Sequence, residues 1–191
     1  MTNFKELAKN IIIKYSDPTI VGNPCSDKGS NHAYEHFYPE IFEKYKHKSD
    51  LKILEVGISI GYSLKMWAEI FPHAKIYGMD HNYSQLKLSE EEKKRFNFLP
   101  EGSQTDLNIF KDCPLFDIII DDASHIPSLT LDTWNILKNK LAPNGVYIIE
   151  DVNPNDPNWF SSEYKNTFEV IDLRYIKSKY DDILYVYRKN N

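Results

Sequence analysis

Hydrophobic residues recur along this chain with two periods. Phe4, Leu7, Ala8, Ile11, Ile12 and Tyr15 return every three or four positions, which predicts an amphipathic helix over about residues 3–15. Ser16 to Ser30 interrupts the pattern with Pro18, Gly22, Pro24 and Gly29 and reads as a loop. Helical spacing resumes with Tyr34, Phe37, Tyr38, Ile41, Phe42 and Tyr45. From there, short solid apolar runs alternate with helical stretches. Ile53, Leu54 and Val56 form a strand covered on both faces, and Leu64, Trp67, Ala68 and Phe71 form a helix closed by Pro72. The runs Ala74–Asp80, Phe96–Leu99, Phe116–Asp122 and Gly145–Asp151 repeat the strand pattern. Ser89-Glu-Glu-Glu92 is a capping box opening a short charged helix, and Leu129, Leu131, Trp134, Ile136, Leu137 and Leu141 form the crossover helix between the last two of these strands. Asn153 to Tyr164, with two prolines and Trp159, predicts an irregular loop or a short helix over the site that selects its ligand. Phe168–Arg174 and Ile183–Tyr187 close the chain as two strands joined by a polar turn at Lys177 to Asp182. Buried strands alternating with helices predict an α/β doubly wound sheet of seven strands.

With 191 residues, 41% of them hydrophobic and 14% aromatic, one domain spans residues 1–191, as an N-terminal helical cover (1–48) on an α/β core (49–191). No apolar run approaches the roughly twenty residues that cross a bilayer. The first residues lack a basic stretch followed by an apolar one, which predicts a cytoplasmic location. Cys25 and Cys113 stand far apart and outside any Cys-x-x-Cys spacing, so neither a structural zinc site nor a disulfide framework is expected. A net charge of −5 offers no broad attraction to nucleic acid or to an anionic membrane. The expected ligand is a small molecule or glycan, and self-association is left open.

Leu51 to Trp67 is the organising stretch: a buried strand, a glycine turn at Gly57 and Gly61, and a helix whose first turn faces the ligand crevice. Ser59 stands where a dinucleotide fingerprint needs its middle glycine. Glu55, two residues before the first glycine, repels phosphate and attracts an ammonium group. Asp80, at the end of the second strand, suits paired ribose hydroxyls. Gln104 and Asp106 suit an adenine, although Ser103, Thr105 and Asp106 equally suit helix capping. The acid pairs Asp121-Asp122 and Glu150-Asp151 end two strands joined by one crossover helix, so their ends are expected about 5 Å apart. Asp122, Glu150 and Asp151 then converge as hard oxygen ligands suited to Mg2+, which would clamp substrate oxygens and acidify a hydroxyl. His125, three residues after Asp122, is the candidate base for that proton. Asp121 points to the other face of its strand.

The run Glu55-x-Gly57-x-x-x-Gly61, followed by Asp80 after a second strand, resembles the first two motifs of class I S-adenosylmethionine-dependent methyltransferases. Asp27-Lys28-Gly29 followed by His32-x-Tyr34, and Asp122-x-x-His125 followed by Glu150-Asp151, are similar to the metal-dependent sugar O-methyltransferases of the macrocin and mycinamicin type. The resemblance implies a Rossmann-like sheet whose last strand is antiparallel and inserted beside its predecessor. It implies S-adenosylmethionine bound by Glu55, Gly57, Ser59, Gly61, Tyr62, Ser63, Asp80, Gln104 and Asp106, with Asp121 helping to position it. Lys28, His32 and Tyr34 would close over the cofactor or the acceptor, Asp122, Glu150 and Asp151 would hold magnesium, and His125 would serve as base. Ala123 departs from the glycine expected there, and the chain is shorter than the sugar enzymes. The alternatives are a catechol-like acceptor, or a cofactor-binding regulatory partner without methyl transfer.

Overall fold

The computed structural model describes residues 3–22 and 25–190; Met1, Thr2 and Pro24 lie outside these residues. Helix α1 (Phe4–Tyr15) is capped by the Asn3 side chain, which accepts from the Lys5 N–H, and buries Ala8, Ile11, Ile12 and Tyr15. Within the expected loop, α2 (Pro18–Val21) is a single turn started by Asp17. The expected second helix is broken into a 3-10 turn at Tyr34–His36, then α3 (Tyr38–Phe42), then a second 3-10 turn at Glu43–Tyr45. Pro39 is the reason: it has no N–H to continue a helix from upstream but suits a first turn.

The core follows as β1 (Lys52–Val56), α4 (Tyr62–Ile70), β2 (Lys75–Met79), α5 (Glu90–Lys93), β3 (Asn97–Phe98), α6 (Leu107–Phe110) and β4 (Phe116–Asp121). It continues with α7 (Pro127–Leu137), β5 (Leu141–Ile149), α8 (Ser162–Thr167), β6 (Glu169–Asp172), α9 (Arg174–Lys177) and β7 (Ile183–Arg188). The capping box at Ser89 is formed, with Ser89 and Glu92 bonding reciprocally. The polar connection before β7 is partly helical, as α9, and Asp172 accepts the N–H of Arg174 just ahead of it.

The seven strands lie in the order β3-β2-β1-β4-β5-β7-β6. β1 to β5 pair in parallel, and β7 runs antiparallel between β5 and β6. Sequential order reverses between β1 and β4, and ligands bind beyond the carboxyl ends of the strands at such a point. The register fixes what stands there. Val56 pairs with Met79 on one side and Asp121 on the other, and Asp121 pairs with Ile149. Gly57, Asp80, Asp122 and Glu150 are therefore level along one rim. Ile53, Ile118 and Ile148 face Ile12, Phe42 and Trp67 on one side of the sheet, while Leu54, Ile119 and Tyr147 face Trp134, Leu137 and Trp159 on the other. Both faces are covered, as a parallel sheet requires.

Gly57 holds the rim together. Its φ is +87°, and a Cβ there would stand 2.0 Å from the Asp122 carbonyl oxygen. Gly57→Ala is expected to cost about 3 kcal/mol or more, combining left-handed strain with a backbone clash, measured as a fall in denaturation midpoint. A midpoint equal to the parent's would mean that the two strand ends are free to separate.

Candidate active site

The loop after β1 is held by an acid from the neighbouring strand. One Asp80 oxygen accepts the N–H groups of Ile58 at 2.9 Å and Ser59 at 2.8 Å. The other oxygen lies 2.8 Å from His81 Nδ1. Asp80 is buried, and with Gly57, Ser59, Asn82, Gln104 and Leu129 it lines a cavity of about 430 Å³. Gln104 donates to the Thr133 hydroxyl at 2.9 Å, which fixes its amide at the cavity wall.

A second cavity, of about 700 Å³, is lined by Asp27, Lys28, Asn31, Tyr62, Ser63, His125 and Asp151 among others. Gly57, Ser59, Asp122 and Ala123 belong to both. The two spaces thus meet across the glycine turn, and both fall in the size range of small-molecule sites.

Between the cavities and the core, three acids surround one lysine. Lys28 Nζ lies 2.6 Å from Asp122 Oδ2 and 3.5 Å from Glu55 Oε1, and it donates to Glu150 Oε2. Its side chain is 1% exposed, so the ammonium is fully desolvated. Burial alone would push it down; Asp122, Glu150 and Glu55 outweigh burial and hold it well above its ordinary value. Burial pushes the Glu55 carboxyl up to about 7 against the pull of Lys28, and the Trp67 indole N–H donates to its other oxygen at 3.0 Å. The Tyr38 hydroxyl donates to Glu150 Oε1.

The oxygens divide cleanly. Both of Glu150 are taken, by Lys28 and Tyr38. Asp122 gives Oδ2 to Lys28 and turns Oδ1 toward His125 Nε2 at 3.6 Å. Asp151 receives the Tyr34 hydroxyl on Oδ1, with His32 Nδ1 3.4 Å away, and turns Oδ2 toward His125 Nε2 at 3.9 Å. Asp122, His125 and Asp151 each offer one ligand atom within 4.8 Å of the other two, a mainly oxygen set suited to a hard cation. Burial, with the charge of Asp122, pushes Asp151 up to about 6, so a cation placed there would relieve a real cost. Ser59, His125 and Asp151 all adopt positive φ, three of the five such non-glycine residues described, and all three border the second cavity. Strain of this kind gathers at functional sites.

The expected site residues sort as follows. Gly57, Ser59, Asp80 and Gln104 line the first cavity, while Lys28, Tyr62 and Ser63 line only the second. Glu150 is not brought into the oxygen set of Asp122 and Asp151, because Lys28 and Tyr38 occupy it. The ammonium that Glu55 attracts is the chain's own Lys28, and Glu55 borders neither cavity. Tyr34 is wholly buried beneath Asp151, whose hydroxyl contact orients that acid; His32 stacks on its ring at 4.8 Å. Gly61 is the left-handed residue before α4. Asp106 is exposed and caps α6, its side chain accepting the Asn108 N–H at 2.9 Å. Asp121 lies on the opposite face of β4, where the Tyr147 hydroxyl donates to it at 2.8 Å. Sequence reasoning missed Tyr38, Trp67 and Tyr147, whose polar atoms each serve a buried acid from a helical or strand position that reads as core. It also missed Lys177 and Asp182, which hold the strap of residues 25–33. Lys177 Nζ donates to the carbonyls of Gly29 and His32, and Asp182 receives the Ala33 N–H.

Burial pushes the Asp121 carboxyl up to about 7. Its ordinary unfolded value is about 3.9, so the folded chain holds this proton more tightly. The associated stability is complete below that value and is lost as pH rises through about 7. Asp121→Asn removes the charge while keeping an acceptor for Tyr147. It is expected to flatten this decline and raise the melting temperature at alkaline pH; an unchanged profile would show that Asp121 ionises without cost.

No family model matches the chain. It is 32% identical over 136 residues, 65% of its length, to demethylmacrocin O-methyltransferase of Streptomyces fradiae, covering 33% of that protein. Over 141 residues, 67% of its length, it is 33% identical to the 8-demethyl-8-(2-methoxy-alpha-L-rhamnosyl)-tetracenomycin-C 3'-O-methyltransferase of Streptomyces olivaceus, covering 34% of that protein. The chain spans about a third of the length of these curated relatives. Among solved structures, the methyltransferase MycE of the mycinamycin biosynthetic pathway, in complex with Mg, SAH and mycinamycin VI, superposes with a TM-score of 0.67 at 22% identity, over 96% of this chain and 54% of that one. A Mg-SAM structure of CmcI gives 0.57 at 20% identity, over 78% of this chain and 68% of the other. The chain is a homologue of the macrocin- and mycinamicin-type sugar O-methyltransferases and is built on the class I S-adenosylmethionine-dependent methyltransferase fold.

Proposed function

We propose that the chain transfers a methyl group from S-adenosylmethionine to a hydroxyl of a sugar or glycan-like small molecule, with assistance from a divalent cation. One observation carries this reading: the two cavities share a wall at Gly57, Ser59, Asp122 and Ala123, so a donor in one and an acceptor in the other meet at the turn. The names of the relatives, O-methyltransferases acting on demethylmacrocin and on a rhamnosyl-tetracenomycin, and the Mg and SAH or SAM of the solved neighbours support the same chemistry.

When bound, S-adenosylmethionine supplies an electrophilic methyl on a cationic sulfur, and a divalent cation supplies a Lewis acid that lowers the pKa of a hydroxyl. The chain's own groups do the rest. The Asp80 oxygen not held by the turn accepts ribose hydroxyls, and Gln104 presents its amide to the adenine. Asp122 and Asp151 would hold the cation through carboxylate oxygens, the donor type that suits magnesium. His125 Nε2 stands beside both carboxylates and takes the acceptor proton. Asn31 and Asp27 offer polar contacts for a hydroxyl-rich acceptor in the second cavity.

Calorimetric titration with S-adenosylhomocysteine should give binding that Asp80→Ala weakens about tenfold or more. Methyl transfer to glycoside acceptors should fall to background in EDTA and return with Mg2+. His125→Ala should lower turnover about a hundredfold. Cofactor binding without transfer to any hydroxylated acceptor would favour a regulatory cofactor-binding protein instead.

A further inference from the structure

Two tyrosines stand apart from the rest. Tyr175 is 81% exposed and Tyr180 is 53% exposed, and among the described residues no other of the thirteen tyrosines is exposed. Both line one groove of about 590 Å³, together with Asp172, Arg174, Ser178 and Lys179. Rings left in water forgo the burial that holds Tyr34, Tyr38 and Tyr185 in place. A single exposed ring needs no explanation, but two in one groove mark a surface that a ligand covers.

The groove stands at the rim of the site. β7 runs antiparallel to β5, so the connection of residues 173–182 arrives where the parallel strands end, and the Val152 N–H donates to the Ile183 carbonyl at 3.1 Å. The same connection holds the strap that borders the second cavity, through Lys177 and Asp182. Asp182, two residues after Tyr180, lies 3.5 Å from His32 Nδ1, which lies 3.4 Å from Asp151 Oδ1. Chiefly the charge of Asp181, with a smaller effect of Asp151, pushes the Tyr180 phenol above its ordinary value, so its hydroxyl is within electrostatic range of the acid beside His125.

The groove's own chemistry narrows the ligand. Asp172 accepts from Arg174 Nε at 2.9 Å and Nη2 at 2.6 Å, and Lys179 Nζ lies 4.0 Å from Asp181. With each cation beside an acid, the groove does not favour a polyanion. It offers flat apolar rings edged by charged hydrogen-bonding groups. A sugar matches both features, since its C–H face lies against an aromatic ring while the hydroxyls around its edge meet polar groups. We propose that the groove of Tyr175 and Tyr180 is a second sugar subsite, which takes the unit adjoining the one that is methylated, so that the acceptor is an oligosaccharide. This rests on the hydroxyl-methylating reading above.

A panel of methyl glycosides of hexoses and 6-deoxyhexoses, each paired with the disaccharide that extends it, tests the subsite on the full chain. At least one disaccharide is expected to exceed its monosaccharide about tenfold in kcat/KM, mainly through KM, as a contact made equally before and during the reaction requires. Tyr175→Ala with Tyr180→Ala should bring that ratio to about one. Tyr175→Phe with Tyr180→Phe should keep it, because the ring face makes the contact. Saturation-transfer NMR of the same disaccharide, with S-adenosylhomocysteine in place of the donor, should show both sugar rings touching the parent and one touching the alanine pair. That readout does not depend on turnover: a parent that holds both rings and methylates no acceptor keeps the subsite and loses the functional reading. A disaccharide preference that survives the alanine pair overturns the proposal, as does a panel in which no disaccharide outdoes its monosaccharide or none binds. Self-association that disappears in the alanine pair, with the acceptor ratio unchanged, assigns the tyrosines to a protein interface and also overturns it.

Discussion

Two strand ends meet at this rim with no side chain between them. The Asp122 N–H donates to the Val56 carbonyl and the Gly57 N–H to the Met79 carbonyl, both at 2.8 Å, so the end of β1 is locked between its two neighbours. Only a residue without a Cβ permits it. From this contact follows the common wall of the two cavities, because Gly57 and Asp122 border both. The left-handed residues around it, Ser59, His125 and Asp151, cost about 1–3 kcal/mol each and need external support. Asp80 supplies it to Ser59 by accepting its N–H, and the Tyr34 hydroxyl supplies it to Asp151 by accepting the backbone N–H at 3.1 Å.

Besides the Lys28 ammonium, neutral phenols satisfy the buried acids of the rim. Tyr34 donates to Asp151, Tyr38 to Glu150 and Tyr147 to Asp121. Burial pushes each of these phenols well above its ordinary value, so each stays protonated and remains a donor. A neutral donor satisfies one oxygen of a carboxylate without cancelling its charge. The acids therefore keep their pull on a cation while their lone pairs are partly satisfied.

How much of this was legible in the chain depends on the range of each interaction. The seven strands, the glycine turn and the acids at strand ends are local patterns, and parallel pairing carried Asp80, Asp122 and Glu150 to one rim as expected. The fate of each acid was not local. Glu55 and Glu150 are both claimed by Lys28 across long stretches of sequence, and no periodicity announces that a lysine in a polar loop will be buried. Tyr38 and Trp67 read as core residues because their rings are core; only their single polar atoms serve the site. Asp106 went to the helix it precedes, since an acceptor at that backbone position is captured by the nearest free N–H groups. The helix expected after residue 34 broke at Pro39, a signal that was present and outweighed by the apolar spacing.

The strap around Lys28 is fastened at two ends that are distant in sequence: Lys177 reaches Gly29 across 148 positions, and Asp182 reaches Ala33 across 149. Such fastenings form only after Lys177 and Asp182, between β6 and β7, have left the ribosome, long after the strap itself has emerged. The chamber holding Lys28 and His125 is thus completed last during synthesis. A nascent chain stalled short of the final strand would expose its row of carboxylates to water, with the lysine meant to balance them still adrift.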